Sequence, residues 1–312
     1  MRIKGTFLDE ISHDIPHQNW GEAEWDRDFG YMREAGIDTV ILIRCGYRRW
    51  QTFPSRVLTA EEGCYEPPVD LVDMFLSLAE KYGMRYFFGT YTRRKNGENT
   101  AEEIERSWDQ ERRLIDEAWE RYGHRKAFAG WYLAKEILYR EPAVVAEFRR
   151  YGEHCKKISG NLPILISPAM WGRKAWDPND PNARDLDFRA HERMWDEIMS
   201  EIAGLVDIIA FQDGHVTYEE LPEVLRINKR LADKHGIELW TNTESFDRDM
   251  PIRFLPIKWE KMRLKLLAAE QAGIEHAMTF EFSHFMSPNS CYLAAGNLRR
   301  RYLEWLDSRK ME

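Results

Sequence analysis

A single (β/α)8 (TIM) barrel spanning residues 1–312 is the fold that the sequence predicts, and three observations carry that reading. Eight short runs rich in β-branched and aromatic residues recur along the chain, and amphipathic stretches separate them. A glycine closes several of those stretches just ahead of the next run, as in "REAGIDTVILI" (33–43), "EKYGMRYFFGTY" (80–91), "DKHGIELWTN" (233–242) and "EQAGIEHAMTF" (270–280). Glycine at a helix C-terminus takes the left-handed conformation that stops the helix. The apolar run behind it reads as a strand buried on both faces, as parallel strands are.

The expected strands are "KGTFLD" (4–9), "DTVILI" (38–43), "RYFFGTY" (85–91), "AFAGWYL" (127–133), "LPILIS" (162–167), "VDIIAFQ" (206–212), "IELWTNT" (237–243) and "HAMTFEF" (276–282). Helical spacing fills the gaps. Trp25, Phe29 and Met32 recur at i, i+4 and i+7, and Val72, Phe75, Leu76 and Ala79 repeat the pattern. Thr100 and Glu103 have capping-box spacing ahead of a helix carrying Ile104, Trp108, Ile115, Ala118 and Tyr122. Further helices are marked by Val144, Phe148, Tyr151 and Cys155, and by Trp195, Ile198, Ile202 and Leu205. Leu221 to Leu231, Trp259 to Ala269 and Leu298 to Trp305 complete the eight. An open doubly wound sheet seldom alternates so regularly, and no Gly-rich phosphate loop follows any strand. No linker divides the chain. The longest strand-to-helix loops are 44–68 and 168–187, a length that usually carries function.

Composition narrows the partners. The formal net charge is −8 and acids and bases are interspersed, which excludes nucleic acid as an expected partner. The basic stretch "LRRRYLEW" (298–305) reads as the solvated face of the last helix. No apolar run of about 20 residues exists, so no membrane span is expected. Cys45, Cys64, Cys155 and Cys291 lack CxxC spacing and imply neither a zinc frame nor a disulfide framework. "MRIKGTFLDE" has no apolar signal-peptide core, so the expectation is a cytoplasmic protein, or a secreted one if a leader was removed.

In a barrel the reactive face lies at the C-terminal strand ends. Asp9 and Glu10 stand there after strand one, Arg44 after strand two, and Tyr91 after strand three. Lys135 and Glu136 follow strand four, and Ser167 ends strand five. Gln212 and Asp213 follow strand six, Asn242 and Glu244 strand seven, and Glu281, Ser283 and His284 strand eight. Such a gathering of carboxylates is costly unless hydrogen bonds, cations or a ligand relieve it. Period-two alternation places Phe128, Gly130, Tyr132, Ala134 and Glu136 on one face and points Lys135 away from it. The same rule groups Ala277, Thr279, Glu281 and Ser283 as barrel-interior positions, and Trp240, Asn242 and Glu244 as another set.

Two carboxylates flanking a sugar ring perform glycoside hydrolysis, one as proton donor and one as nucleophile or base. A separation of about 5–5.5 Å accompanies retention, and about 6.5–9.5 Å inversion. Strands four and seven face each other across an eight-stranded barrel, so acids at their tips can flank a substrate.

"GTFLDEISHD" (5–14), "WGEAEWDRDFGYMREAGIDTVIL" (20–42), "GWYLAKEI" (130–137), "DIIAFQDG" (207–214), "LWTNTESF" (239–246) and "TFEFSHFMSP" (279–288) resemble a family of glycoside-hydrolase-like barrels. That family is related to the clan with its acid/base on strand four and its nucleophile on strand seven. The resemblance runs from first strand to last. It implies a glycosidase acting on an oligo- or polysaccharide with retention, with Glu136 as general acid/base and Glu244 as nucleophile and with no cofactor or metal. Where that clan has Asn before the acid/base this chain has Lys135, so the usual contact to the sugar 2-hydroxyl is not carried over.

Other residues fill out the expected substrate site. Trp131, Trp171 and Trp176 are candidates to stack on sugar rings, with Trp50 and Phe285 in the same upper region. Asp9, Arg44, Tyr91, Gln212, Asp213, Asn242, Glu281 and His284 are candidate contacts to hydroxyl or acidic groups. For each of them packing, ion pairing or turn chemistry is the plainer alternative. His13, His215 and His284 show no HxH or HExxH spacing. No GxSxG elbow surrounds Ser167. Two alternatives stand beside the glycosidase. One is a metal-dependent sugar isomerase or lyase with Glu136, Asp213, Glu244 and Glu281 as a carboxylate cage. The other is a carbohydrate-binding barrel without chemistry.

Overall fold

A computed structural model of the chain describes residues 1–12, 15–91, 101–137, 141–170, 172, 174, 187–249 and 254–310. Eight parallel strands close into a barrel in chain order. They are Ile3–Leu8, Thr39–Leu42, Arg85–Gly89, Phe128–Tyr132, Ile164–Ile166, Ile208–Gln212, Glu238–Asn242 and His276–Thr279, called strands one to eight below. Strand one begins and ends one residue ahead of its expected run, and the other seven lie inside theirs, shortened by two or three residues where the backbone leaves the ladder.

The helices are α1 (Glu22–Ala35), α2 (Arg56–Glu62), α3 (Leu71–Tyr82), α4 (Ala101–Tyr122), α5 (Pro142–Ser159), α6 (Phe188–Ile202), α7 (Leu221–His235), α8 (Trp259–Gln271), α9 (Phe282–Phe285) and α10 (Leu293–Ser308). Their ends follow local chemistry. The Asp70 carboxylate caps α3 by accepting from the Asp73 amide at 2.9 Å, and Gly83 ends that helix at φ 62°. Thr100, and with it the expected capping box of α4, lies outside the described residues. Leu205 falls beyond α6, because Gly204 has already turned the chain at φ 79°.

Two apolar layers result. Phe7, Ile41, Phe87, Tyr132, Leu165, Trp240 and Met278 fill the barrel interior. A much larger set, including Trp25, Phe75, Phe88, Trp131, Trp195 and Tyr302, packs between strands and helices. Each buried Phe or Met contributes about 1.5–3 kcal/mol through the water it no longer contacts.

The layers correct two expectations from alternation. A bulge breaks the pairing of strands three and four, so that Tyr86 faces Phe128 but Phe87 faces Gly130. Phe128 therefore joins the outer layer, while Tyr132 and Ala134 face inward. On strand eight the interior residue is Met278, and Phe280 follows it at the mouth. Ala277 packs outward, so Ala277, Thr279 and Glu281 are not the barrel-interior set. The strand also ends at Thr279, and α9 begins three residues later.

Within the loop after strand two lie a two-residue β ribbon (Gly46–Tyr47 with Trp50–Gln51) and α2. The four cysteines are free, with Cys45, Cys64 and Cys155 buried and Cys291 exposed. Among the described residues no helix is long and apolar enough to cross a membrane.

Candidate active site

A cavity of about 450 Å³ opens at the C-terminal end of the barrel. Of the residues expected to form a site, Asp9, Arg44, Glu136, Gln212, Asn242 and Glu244 lie on its wall. They come from the ends of strands one, two, four, six and seven, so the barrel's closure gathers residues far apart in sequence. Phe7, Tyr132, Phe246, Phe254 and Phe280 supply the apolar part of the wall.

Glu244 is the most constrained of these. It is 2% exposed. Arg248 grips it through Nε to Oε2 at 2.7 Å and Nη2 to Oε1 at 2.7 Å, the two-pronged geometry that makes Arg–carboxylate pairs strong. Arg248 in turn packs on the Phe246 ring, with its guanidinium carbon 4.8 Å from the centroid, and lies 5.9 Å from that of Phe254. Phe246 belongs to, and Phe254 immediately precedes a strand of, a short antiparallel ribbon of Phe246–Asp247 with Leu255–Pro256. Burial pushes the Glu244 carboxyl up, but the charge and hydrogen bonds of Arg248, with the charges of Lys265 and His215, together outweigh it and hold the group below the usual range.

The backbone under this pair is fixed as well. The Glu244 amide donates to Asp213 Oδ1 at 3.1 Å, and Lys265 Nζ donates to the same Asp213 oxygen at 2.7 Å. Lys265 reaches inward from α8 and is 3% exposed. Gly214 lies so close that a Cβ there would stand 1.9 Å from Glu244 Oε2 and 2.4 Å from Arg248 Nε. Only a hydrogen fits.

Glu136 is exposed on the same wall. It is close enough to Arg248 for its charge to help hold that guanidinium protonated, after the larger effects of burial and Glu244. Lys135 points away, as alternation predicts, and pairs with Glu147 of α5. Asp9 is buried, and its Oδ1 accepts from the amides of Ile11 at 3.1 Å and Ser12 at 3.0 Å. Burial raises its pKa, and Arg44 offsets only part of that rise. His215 also lines the cavity, and burial lowers its pKa.

Other expected contacts lie elsewhere. Trp131 is in the outer layer, where its indole donates to Ser159 Oγ at 3.2 Å and its ring meets Phe128 at 5.0 Å. It sits between the inward positions 130 and 132, so alternation turns it from the cavity. Tyr91 packs in the outer layer with its amide donating to Glu111 Oε1 at 2.9 Å. Asp213 stands behind Glu244 and is not on the cavity wall. Glu281 caps α9, accepting from the amides of Ser283 at 2.9 Å and His284 at 2.6 Å. The His284 ring bridges Glu281 at 2.6 Å and the Pro16 carbonyl at 2.8 Å. Burial opposes charge on that ring, but Glu281 outweighs it and raises the pKa to about 9. Phe285 is buried, and Trp50 is 56% exposed on the ribbon after strand two. Trp171, Trp176 and His13 lie outside the described residues.

Four residues of the site carry no mark in the strand-end pattern: Arg248, Lys265, Phe254 and Gly214. Lys265 left a trace, as a cation on the apolar face of "KMRLKLLAAE". The four acids of the alternative carboxylate cage do not share a wall, since Asp213 binds Lys265 and Glu281 binds His284. Among the described residues no group of three or more His, Cys, Asp or Glu side chains is arranged to hold a metal ion.

The chain is similar along its length to a protein from Bacteroides thetaiotaomicron described as a "putative alpha-L-fucosidase", with 52% identity, TM-score 0.91, and 98% of this chain and 93% of that one covered. An endo-1,4-beta-D-mannanase from Thermotoga petrophila shares the fold at 14% identity and TM-score 0.59, covering 90% and 88% of the two chains. A beta-galactosidase from Halorubrum lacusprofundi does so at 14% identity and TM-score 0.58, covering 92% of this chain and 53% of that one. No curated protein matches the sequence. A family model covers residues 3–292, and the chain belongs to the family it describes, the domain of unknown function DUF4434.

Proposed function

We propose that this protein is a glycoside hydrolase that cleaves an oligo- or polysaccharide with retention. Glu136 acts as general acid/base and Glu244 as nucleophile. The observation that carries the reading is the meeting of these two carboxyls, from the ends of strands four and seven, on one cavity wall. Their environments differ in the way the two roles require. Glu244 is buried and kept ionised by Arg248, which suits attack on an anomeric carbon. Glu136 stands at the open side, where a leaving-group oxygen can reach it and where a seated sugar covers it from water.

In the first step the Glu136 carboxyl gives its proton to the glycosidic oxygen, the bond from that oxygen to the anomeric carbon breaks, the leaving group departs as an alcohol, and a Glu244 oxygen bonds to the anomeric carbon. In the second, Glu136 takes a proton from water, and that water displaces Glu244. Phe7, Tyr132 and Phe280 supply apolar faces against which a ring packs. The glycoside hydrolases that share the barrel support the reaction class. The similarity to the protein described as a "putative alpha-L-fucosidase" makes fucosides the first substrates to try.

The test is hydrolysis of a panel of aryl glycosides, including fucosides, by wild type, Glu136→Gln and Glu244→Gln. Each substitution is expected to lower kcat on the order of 10²–10⁴-fold while melting stays cooperative. NMR of the first-formed sugar should show the substrate's anomeric configuration. Unchanged turnover in either variant, on a substrate the wild type hydrolyses, removes the assignment. Sugar binding with no turnover by the wild type would favour a carbohydrate-binding barrel.

A further inference from the structure

We infer that the floor of the cavity is a hydroxyl-reading subsite that selects an uncharged glycosyl unit over a uronic acid, with Asn242 and Asp9 as its specificity-determining residues. This rests on the reading of the cavity as a sugar site and names the class of sugar it takes.

Asn242 carries the argument furthest, because its amide orientation is decided by its neighbours. Ser167 Oγ donates its one proton to the Ala210 carbonyl at 2.7 Å. Toward Asn242 it can therefore only accept, and Asn242 Nδ2 donates to it at 3.1 Å. The amide is thus held with Nδ2 on Ser167, which fixes the position of its oxygen. Its Oδ1 is buried and has no hydrogen-bond partner among the described residues. The residue is 1% exposed and lines the cavity.

Asp9 repeats the arrangement from strand one, which only strand eight separates from strand seven. Its Oδ1 serves two backbone amides, and its Oδ2 is buried without a partner among the described residues. Gln212 adds a third acceptor, because its Nε2 is committed to the Ser167 carbonyl at 2.7 Å and its Oε1 remains. Arg44 Nε and the Ser12 hydroxyl, both on the cavity wall, are buried donors without a hydrogen-bond partner among the described residues. A buried polar atom without a partner carries a penalty that a bound group can remove.

The set mixes acceptors, on Asn242, Asp9 and Gln212, with donors, on Arg44 and Ser12. A sugar hydroxyl satisfies it, since it donates to an acceptor and accepts from Arg44 Nε with the same oxygen. A carboxylate only accepts, so it would satisfy Arg44 and leave Asn242, Asp9 and Gln212 facing more lone pairs. Charge points the same way. Asp9, Glu136, Glu141 and Glu244 stand on the wall against Arg44 and Arg248, and Arg248 is already gripped by Glu244.

The test reads binding without turnover, by titration calorimetry on the Glu136→Gln protein. The probes are free glucose, galactose, mannose and fucose, with glucuronic, galacturonic and mannuronic acid as charged counterparts. At least one neutral sugar is expected to bind, with any uronic counterpart at least tenfold weaker. Adding Asn242→Ala or Asp9→Asn should weaken that sugar at least tenfold. Asp9→Asn keeps Oδ1 for the two amides and turns the Oδ2 position into a donor. Should a variant fail to fold, the comparison of neutral with uronic sugars decides alone. A uronic acid binding as tightly as its neutral counterpart overturns the inference. So does the absence of binding by every neutral probe, or full affinity in both variants. Binding that depends on Asn242, in a protein whose wild type hydrolyses nothing, keeps the subsite and removes the glycosidase. Hydrolysis with binding indifferent to Asn242 and Asp9 does the reverse.

Discussion

Arg248 holds Glu244 by two hydrogen bonds of 2.7 Å, although the two residues are only four apart and lie on no helix. The chain leaves strand seven, turns at Ser245 into a short ribbon, and brings the guanidinium back over the carboxylate. The ribbon thus aims a cation at the acid that strand seven delivers. Gly214, from the loop after strand six, closes the other side.

Replacing Arg248 by Met should leave a buried carboxylate without its cation, at a cost of about 3–5 kcal/mol. The sign for catalysis follows from the direction of the shift. Glu244 is held below its ordinary value, so its stabilising charge is present above the unfolded-state pKa and lost as pH falls through the folded one. Without Arg248, only the lesser effects of Lys265 and His215 oppose burial, which pushes the carboxyl up. The acid limb of the pH–activity profile should therefore move to higher pH, with activity at neutral pH down about 10²-fold. An unmoved acid limb would show that Arg248 does not govern the nucleophile.

Gly214→Ala tests the same pair from the backbone side. A methyl group cannot occupy a position 1.9 Å from Glu244 Oε2, so the loop or the carboxylate must move. Turnover is expected to fall more than stability does, because a misplaced nucleophile loses its alignment. Parallel measurement of kcat and Tm separates the two. Wild-type kcat in the alanine variant would contradict the crowding.

Lys265→Met should destabilise the fold by about 3–5 kcal/mol, since it strips the cation from an Asp213 that is 1% exposed. The double variant Lys265→Met with Asp213→Asn should recover most of that loss, because the amide still meets the Glu244 N–H without a buried charge. Denaturant unfolding of the four proteins in the cycle measures the coupling. Simple additivity would mean the ion pair contributes nothing specific.

Stability should fall as pH rises from 5 toward 9. Burial raises Glu10 from 4.5 to about 7 and Asp28 from 3.8 to about 7. His284, where Glu281 outweighs burial, rises from 6.5 to about 9. All three bind their protons more tightly folded than unfolded. Their contributions are complete below the unfolded values and are lost through about pH 4–7 for the acids and about 6.5–9 for the histidine. Asp28→Asn, which mimics the protonated acid beside Ser283, should narrow the Tm difference between pH 5 and pH 8. An unchanged difference would show that Asp28 does not titrate in that window.

Much of this was legible before folding, and the misses have a common cause. Eight runs marked eight strands because burial on both faces demands continuous apolar residues. Glu136 and Glu244 could be placed at strand ends because that position follows from counting. Alternation also turned Lys135 outward correctly. It failed at Phe128, where a bulge shifts the count by one, and at Glu281, where the strand stops early and α9 begins. Trp131 was misread by residue type, since an aromatic that fills the outer layer looks in sequence like one that faces a sugar.

By itself the sequence determined the barrel, the order of its strands and the set of polar residues at their C-terminal ends, because these depend on periodicity and on local helix signals. Only the tertiary structure decided which of those residues meet. The Arg248 grip, the Asp213–Lys265 pair behind it and the approach of Gly214 all join segments whose spacing depends on how the ring closes. A distance across a barrel is a property of the closed sheet, and no local pattern encodes it.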